Sequence, residues 1–269
     1  MTWLHLILLA IIQGLTEFLP VSSSAHLILP AQILGWEDQG AMIDLMAHFG
    51  TLFAVLLYFR QDVAAMISGF FDLLGRRLNV NSALALNLIL ATPPVLILGA
   101  AIEFGGLDTV LRSPLVIALA FMFFGVVLWL ADLKGAQNRT TEDLSWKGAV
   151  KMGLAQALAL IPGTSRSGIT MTAALAMGLT RVEAARFSML MSLPVIGVGG
   201  LYAFYKLASE GSGQAGLSAG LLVAGLSFLV AYATIALFMK YVPRIGMFPF
   251  MVYRLALGAI ILLWVAGVF

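Results

Sequence analysis

Two short stretches carry most of the chemistry that this sequence can offer. The first is "QGLTEFLPVSSSAH", from Gln13 to His26. Gln13 and Glu17 are four apart, so they share a helix face. Together they offer oxygen ligands for a divalent cation, Mg²⁺ or Ca²⁺, of the kind that bridges a protein carboxylate to a phosphate. Pro20 ends the helix that presents Glu17, and the serines begin a return helix. Ser22 and Ser24 can cap that helix or offer donors to an anion at its N-terminus. Ser23 and His26 are three apart. A hydroxyl beside an imidazole is the minimum equipment of an activated nucleophile, with His26 as base or acid.

The second stretch is "PGTSRSGIT", Pro162 to Thr170. Gly163 and Gly168 allow the backbone close to a ligand. Thr164, Ser165 and Ser167 supply hydroxyl and N–H donors. Arg166 supplies a planar, permanently charged fork suited to phosphate oxygens, or a partner for Glu17. Thr170, four residues on, faces the same way if that part is helical. Arg254, in "FPFMVYRLALG", reads as a second phosphate clamp or as a side chain snorkelling to an interface. His5 and His48 lack such neighbours and read as structural or interfacial, and Glu183 and Arg186 as a mutual pair. The His/Cys set of a zinc centre is absent. So are the glycine-rich nucleotide loops, which argues against ATP as a substrate. Phosphate-ester or diphosphate chemistry is the natural reading.

The elements that must position these residues lie in a membrane. The chain has 269 residues, 61% hydrophobic and only 10% charged, against about 25% charged in soluble domains. Its mean hydropathy is +1.00. There are no cysteines, which removes disulfides and thiolate chemistry. A net charge of +2 does not point to nucleic acid. The opening segment lacks the basic start of a signal peptide. Six stretches suit a span of about 20 apolar residues: 43–59, 83–102, 113–131, 186–205, 217–239 and 248–268.

Two further apolar stretches, 3–34 and 149–179, are each broken near the middle by Pro and hydroxyls. Both follow the pattern Gln, apolar run, Pro, any residue, Ser/Thr, Ser, and each precedes three clean spans. The expected fold is an all-α integral membrane protein with an inverted-topology repeat. It has about six transmembrane helices plus two re-entrant helical hairpins, in one membrane domain with halves near 1–134 and 145–269. With three crossings per half, one face collects Arg60, Arg76, Arg77, Lys134, Arg139, Lys147, Lys151, Arg181, Arg186, Lys240 and Arg244. The other collects Arg112 and Lys206. Positive residues stay inside, so both termini and the first hairpin's opening are expected on the outer, periplasmic side of a bacterial plasma membrane.

The two motifs resemble the signature regions of bacterial undecaprenyl-diphosphate phosphatases, the bacitracin-resistance type, and the resemblance runs along the whole chain through "ARFSMLMSLP" and "FPFMVYR". Gln13 stands where many members carry Glu. The resemblance implies removal of the terminal phosphate of undecaprenyl diphosphate, a divalent metal requirement and a site facing outward. It assigns Ser23, His26 and Glu17 to catalysis and Glu17 and Gln13 to metal. Ser22, Gly163, Ser165, Arg166, Ser167, Thr170 and Arg254 are assigned to phosphate. Expected partners are the lipid diphosphate and membrane lipid, with a homodimer left open. Attack on phosphorus is expected from Ser23 assisted by His26, or from a metal-positioned water. A lipid-phosphate transporter or flippase is the alternative use of the same fold.

Overall fold

The computed structural model describes residues 2–35, 40–105, 111, 113–209 and 213–268. The expectation for Arg112 falls outside these residues. The described residues form helices without strands: α1 (Trp3–Thr16), α2 (Ser23–Leu34), α3 (Ala41–Tyr58), α4 (Arg60–Leu74), α5 (Val80–Ala91), α6 (Pro93–Gly105), α7 (Pro114–Lys134), α8 (Trp146–Ala157), α9 (Arg166–Ala176), α10 (Arg181–Ser209), α11 (Gly213–Ile245) and α12 (Phe248–Val265). Six segments are long and apolar enough to cross a membrane: 41–58, 80–102, 114–134, 181–202, 216–245 and 248–265. These match the six stretches expected from sequence to within a few residues at most ends.

One of the six is less clean than it reads. The segment 80–102 breaks at Thr92 into α5 and α6, because Pro93 and Pro94 have no N–H to continue the ladder. The region between the first two spans, for which no element was expected, contains α4. Its Gly69 lies against α5 so closely that an added Cβ would stand 2.0 Å from the Asn81 carbonyl.

The two broken stretches are helix–tip–helix units. At 1.5 Å per residue, α1, α2, α8 and α9 are only about 17–21 Å long, short of the ~30 Å that a crossing needs. Each tip turns by the same backbone device. Ser22 has φ 67° and Ser165 φ 73°, and each immediately precedes the first residue of its return helix. In each, the hydroxyl meets that of the serine two residues on, at 3.2 Å for Ser22–Ser24 and 3.1 Å for Ser165–Ser167. Gln13 and Gln156 lie nine residues before these serines, and both are fully buried. Matching at the prolines pairs Ser23 with Ser165. The backbone instead pairs Ser22 with Ser165, and therefore Ser23 with Arg166 and Glu17 with Leu160.

The hairpins are held by exchange between halves. α1 packs on α11, and α8 packs on α5. Gly14 gives α1 its approach to Val230, and Gly153 brings α8 against the Ala91 carbonyl. Arg254 of α12 fastens both tips. It is wholly buried, and its guanidinium donates to the carbonyls of Phe121, Ala120, Pro20, Gly163 and Thr164 at 2.8–3.3 Å.

The loops that sequence assigned to the basic face meet one another. Arg181 forks onto Asp132 at 2.6 and 3.1 Å, and Asp132 also accepts from the Met247 N–H at 2.9 Å. Arg186 pairs with Glu183 at 3.2 Å, as expected, and also with Asp62. Glu183 in turn accepts from Thr141. These contacts join the ends of α7, α10, α11 and α12 to the start of α4 and the 3₁₀ turn Thr141–Asp143.

Candidate active site

The two tips meet on one carboxylate. Glu17, just past the end of α1, is 5% exposed. Its Oε1 accepts from Arg166 Nη2 at 3.0 Å. Its Oε2 accepts from Ser23 Oγ at 2.7 Å and from Gln13 Nε2 at 2.9 Å. Ser23 and Arg166 are the first helical residues after the two tight turns. Equivalent positions of the two hairpins thus converge on a residue that only the first hairpin carries. A buried carboxylate without partners is prohibitively costly. Here three donors hold it in place. Arg166 is itself aimed by a second bond, Nη1 to the Ser188 carbonyl at 3.2 Å, and by its position 5.9 Å over the Phe18 ring.

Around this centre, Ser23, Ser24, His26 and Arg166 are partly exposed, whereas Ser22, Gly163, Ser165, Ser167 and Thr170 are buried. Thr164 Oγ1 is buried without a hydrogen-bond partner, and the other hydroxyls of the second hairpin bond within the protein. Ser165 Oγ accepts from the Gly168 N–H at 3.1 Å, capping α9. Ser167 Oγ donates to the Leu19 carbonyl of the first tip at 2.9 Å. Thr170 Oγ1 meets Ser188 Oγ at 2.6 Å. These groups build the cradle, and the partly exposed Arg166 and α2 residues face outward from it. Arg254 is neither a snorkelling side chain nor exposed to a ligand, because its hydrogen bonds go to the five carbonyls.

The expected Ser23–His26 dyad is not formed. Ser23 donates to Glu17 instead. His26 has both ring nitrogens engaged elsewhere: Nδ1 lies 2.8 Å from the Ser22 carbonyl and Nε2 2.6 Å from the Tyr253 hydroxyl. A carbonyl can only accept, so Nδ1 carries the proton. The i, i+3 spacing places Ser23 and His26 on neighbouring faces of α2, but the tight turn brings Ser23 back over Glu17. Glu17 is therefore the acceptor for the Ser23 proton, and His26 braces the turn at Ser22.

Three residues joined here were not assigned to a site from sequence. His48 was read as structural or interfacial, yet its Nε2 lies 3.4 Å from Glu17 Oε2. Tyr253 and Ser188 complete the partners of His26 and Thr170. Each lies on a helix long and apolar enough to span the membrane, outside both motifs. The only local hint for Tyr253 and Ser188 was membership of the quoted strings "FPFMVYR" and "ARFSMLMSLP".

No cluster of three or more acidic, His or Cys side chains occurs among the described residues. The oxygens that do converge are the Glu17 carboxylate and the Ser23 hydroxyl; the Gln13 amide turns its nitrogen to Glu17, and its Oε1 is buried without a hydrogen-bond partner. That set fits a cation taking most of its ligands from phosphate and water, as Mg²⁺ sites do, and not a closed protein cage.

The model of the family described as bacitracin resistance protein BacA matches residues 6–260. An undecaprenyl-diphosphatase of Maricaulis maris (strain MCS10) is 50% identical over 98% of this chain and 99% of its own. An undecaprenyl-diphosphatase 1 of Pseudoalteromonas translucida (strain TAC 125) is 50% identical over 96% and 97%. An undecaprenyl-diphosphatase of Alcanivorax borkumensis is 49% identical over 99% and 100%. With a match of this length on both counts, the chain belongs to the BacA family of bacitracin resistance proteins.

Proposed function

We propose that this chain is a membrane undecaprenyl-diphosphate phosphatase, which hydrolyses the terminal phosphate of the lipid diphosphate to give undecaprenyl phosphate and inorganic phosphate. The observation that carries the reading is the meeting of Ser23 and Arg166 on Glu17. Phosphoryl transfer needs a placed nucleophile and neutralisation of the equatorial oxygens, and little else from the protein. Arg166 is the fixed cation for those oxygens. Ser23 is the placed hydroxyl, and Glu17 accepts its proton as the Ser23 Oγ–phosphorus bond forms and the anhydride bond to undecaprenyl phosphate breaks. Water then attacks the phosphoserine, and the proton on Glu17 returns to Ser23. Gln13 and Glu17 would hold a divalent cation beside the diphosphate. When bound, such a cation supplies charge neutralisation on the phosphate oxygens.

The halves near 1–134 and 145–269 form an inverted repeat, with the site and both termini on the outer side of the membrane. This sidedness rests on the eleven-to-two division of basic residues, and on the mutual contacts among the loops of the richer face.

The test is phosphate release from undecaprenyl diphosphate in detergent micelles, where sidedness vanishes, with and without EDTA. Glu17→Gln and Arg166→Ala are expected to lose on the order of 10²–10³-fold, the usual effect of removing one charge-stabilising group. Rapid quenching should trap phosphate on Ser23. Substantial turnover by Ser23→Ala with no trapped phosphoserine would assign the attack to water. No release from the unaltered protein would leave a lipid-phosphate transporter as the reading.

A further inference from the structure

Glu17 Oε2 already accepts two hydrogen bonds, from Ser23 and from Gln13. That matches its two lone pairs. His48 Nε2 nevertheless stands 3.4 Å from the same oxygen. Its other nitrogen, Nδ1, lies 2.7 Å from the Asp44 carbonyl one turn earlier in α3. A carbonyl only accepts, so the proton of the neutral ring is on Nδ1. Nε2 then turns a lone pair toward a carboxylate oxygen, and two acceptors face each other. The Gln13 amide turns its nitrogen to the same oxygen, and its Oε1 is buried and unpartnered. A half-turn of that amide exchanges its nitrogen for this oxygen on the side facing Glu17.

Acceptors that converge in this way are reconciled by a cation. An imidazole that gives its second N–H to a backbone carbonyl is the usual arrangement of a metal-ligating histidine, because that bond fixes the ring and its tautomer. The separation fits as well. Two ligands each at about 2.1 Å from one ion, at a near-tetrahedral angle, stand about 3.4 Å apart. Arg166 does not block this side, since it occupies Oε1.

We infer that His48 is a nitrogen ligand of the divalent cation held at Glu17, and that it makes the site of this chain favour a transition-series ion over Ca²⁺. The inference rests on the reading that a cation works at Glu17, and it adds a ligand and a selectivity. Oxygen-only sets suit Mg²⁺ and Ca²⁺, whereas imidazole suits ions such as Co²⁺ and Zn²⁺. With His48, the protein contributes one imidazole nitrogen, one carboxylate and one amide oxygen. Open positions remain for phosphate oxygens.

The chain has no cysteine and only three histidines, so a tag-free preparation gives little background. Co²⁺ is titrated into the purified protein in detergent without substrate and read by its visible d–d absorption, with Ca²⁺ as competitor. One Co²⁺ per chain is expected. His48→Gln should weaken Co²⁺ by at least about 10-fold, the scale of losing a group that supports or forms a metal site, while Ca²⁺ affinity moves much less. His5→Gln should leave the Co²⁺ band unchanged. Equal Co²⁺ binding by His48→Gln, or Ca²⁺ outcompeting Co²⁺ on the unaltered protein, overturns the assignment and leaves His48 as a charge partner of Glu17. If His48→Gln does not fold, pulsed EPR of one equivalent of Cu²⁺ on the unaltered protein, on His5→Gln and on His26→Gln decides. Imidazole ¹⁴N coupling that persists in all three supports the ligand role, and its loss in His26→Gln or absence from the unaltered protein refutes it. Because no substrate is present, failure here is separate from failure of the phosphatase reading, which phosphate release alone decides.

Discussion

Replacing Arg254 tests whether this residue fastens the hairpin tips or binds substrate. Its side chain is fully buried and reaches five carbonyls on three elements: Pro20 of the first tip, Gly163 and Thr164 of the second, and Ala120 and Phe121 of α7. Arg254→Ala leaves all five without that donor. Ala120 and Phe121 keep their helical N–H partners, so at about 1–3 kcal/mol per stripped acceptor simple addition over Pro20, Gly163 and Thr164 gives about 3–9 kcal/mol. Relief of burying the guanidinium, and relaxation of the tips, offset much of that sum. The expected net loss is about 3–5 kcal/mol, the range seen when a buried charged network loses one member. At about 2–4 °C per kcal/mol for a chain of this size, the midpoint of thermal unfolding in detergent should fall by roughly 10 °C. Phosphate release should fall through kcat, because the tips carry Ser23 and Arg166. Arg254→Lys should recover only part of this, since an ammonium cannot span carbonyls on three elements. The reasoning is refuted if Arg254→Ala melts like the unaltered protein while KM for the lipid diphosphate rises. That pattern belongs to a phosphate clamp.

Gly50→Ala should prevent folding or cost well over 2 kcal/mol, since its Cβ would sit 2.0 Å from the Ala224 carbonyl where α3 crosses α11; yield and melting temperature check this. Ser22→Gly and Ser165→Gly both relieve a positive φ. Only Ser165 also caps its helix through its side chain, a contact whose loss to Gly costs a few tenths of a kcal/mol, so thermal melts should rank Ser165→Gly slightly below Ser22→Gly. Ser188→Ala should lower kcat more than it lowers stability. The change removes the hydroxyl bonded to Thr170 while keeping the carbonyl that aims Arg166; unchanged kcat would show that Thr170 holds its place without it.

What was legible in the sequence follows from the cost of polarity in an apolar setting. Glu17, Arg166 and the serines were conspicuous because every neighbour was apolar, and the prolines marked where helices had to stop. Local spacing then carried the reasoning too far at Ser23 and His26. An i, i+3 relation holds for a regular helix, and Ser23 is the first residue after a turn with φ 67° at Ser22. The turn, not the helix, decides where its hydroxyl points. His48 is the converse case. Its partner Glu17 lies at the end of another helix, about 30 residues away, and nothing local distinguishes it from an interfacial histidine. Likewise the apolar face of α4, with Ile67, Phe70, Phe71 and Leu74 exposed, belongs to a stretch between the first two spans for which no element was expected.

The register of the two tips explains why one centre forms where two similar hairpins meet. The same left-handed serine and the same serine pair recur, so the backbone is duplicated. At the next position, however, the first hairpin has Ser23 and the second Arg166, and Glu17 is matched by Leu160. Had both hairpins carried a carboxylate, two like charges would have met in a medium that screens poorly, and one would have taken a proton. Had both carried an arginine, the tips would have repelled each other. Placing the anion and the hydroxyl on one hairpin and the cation on the other makes the contact attractive. It also leaves Arg166 able to exchange a carboxylate for a phosphate. The contact that closes the two tips therefore uses the same groups that a lipid diphosphate would engage.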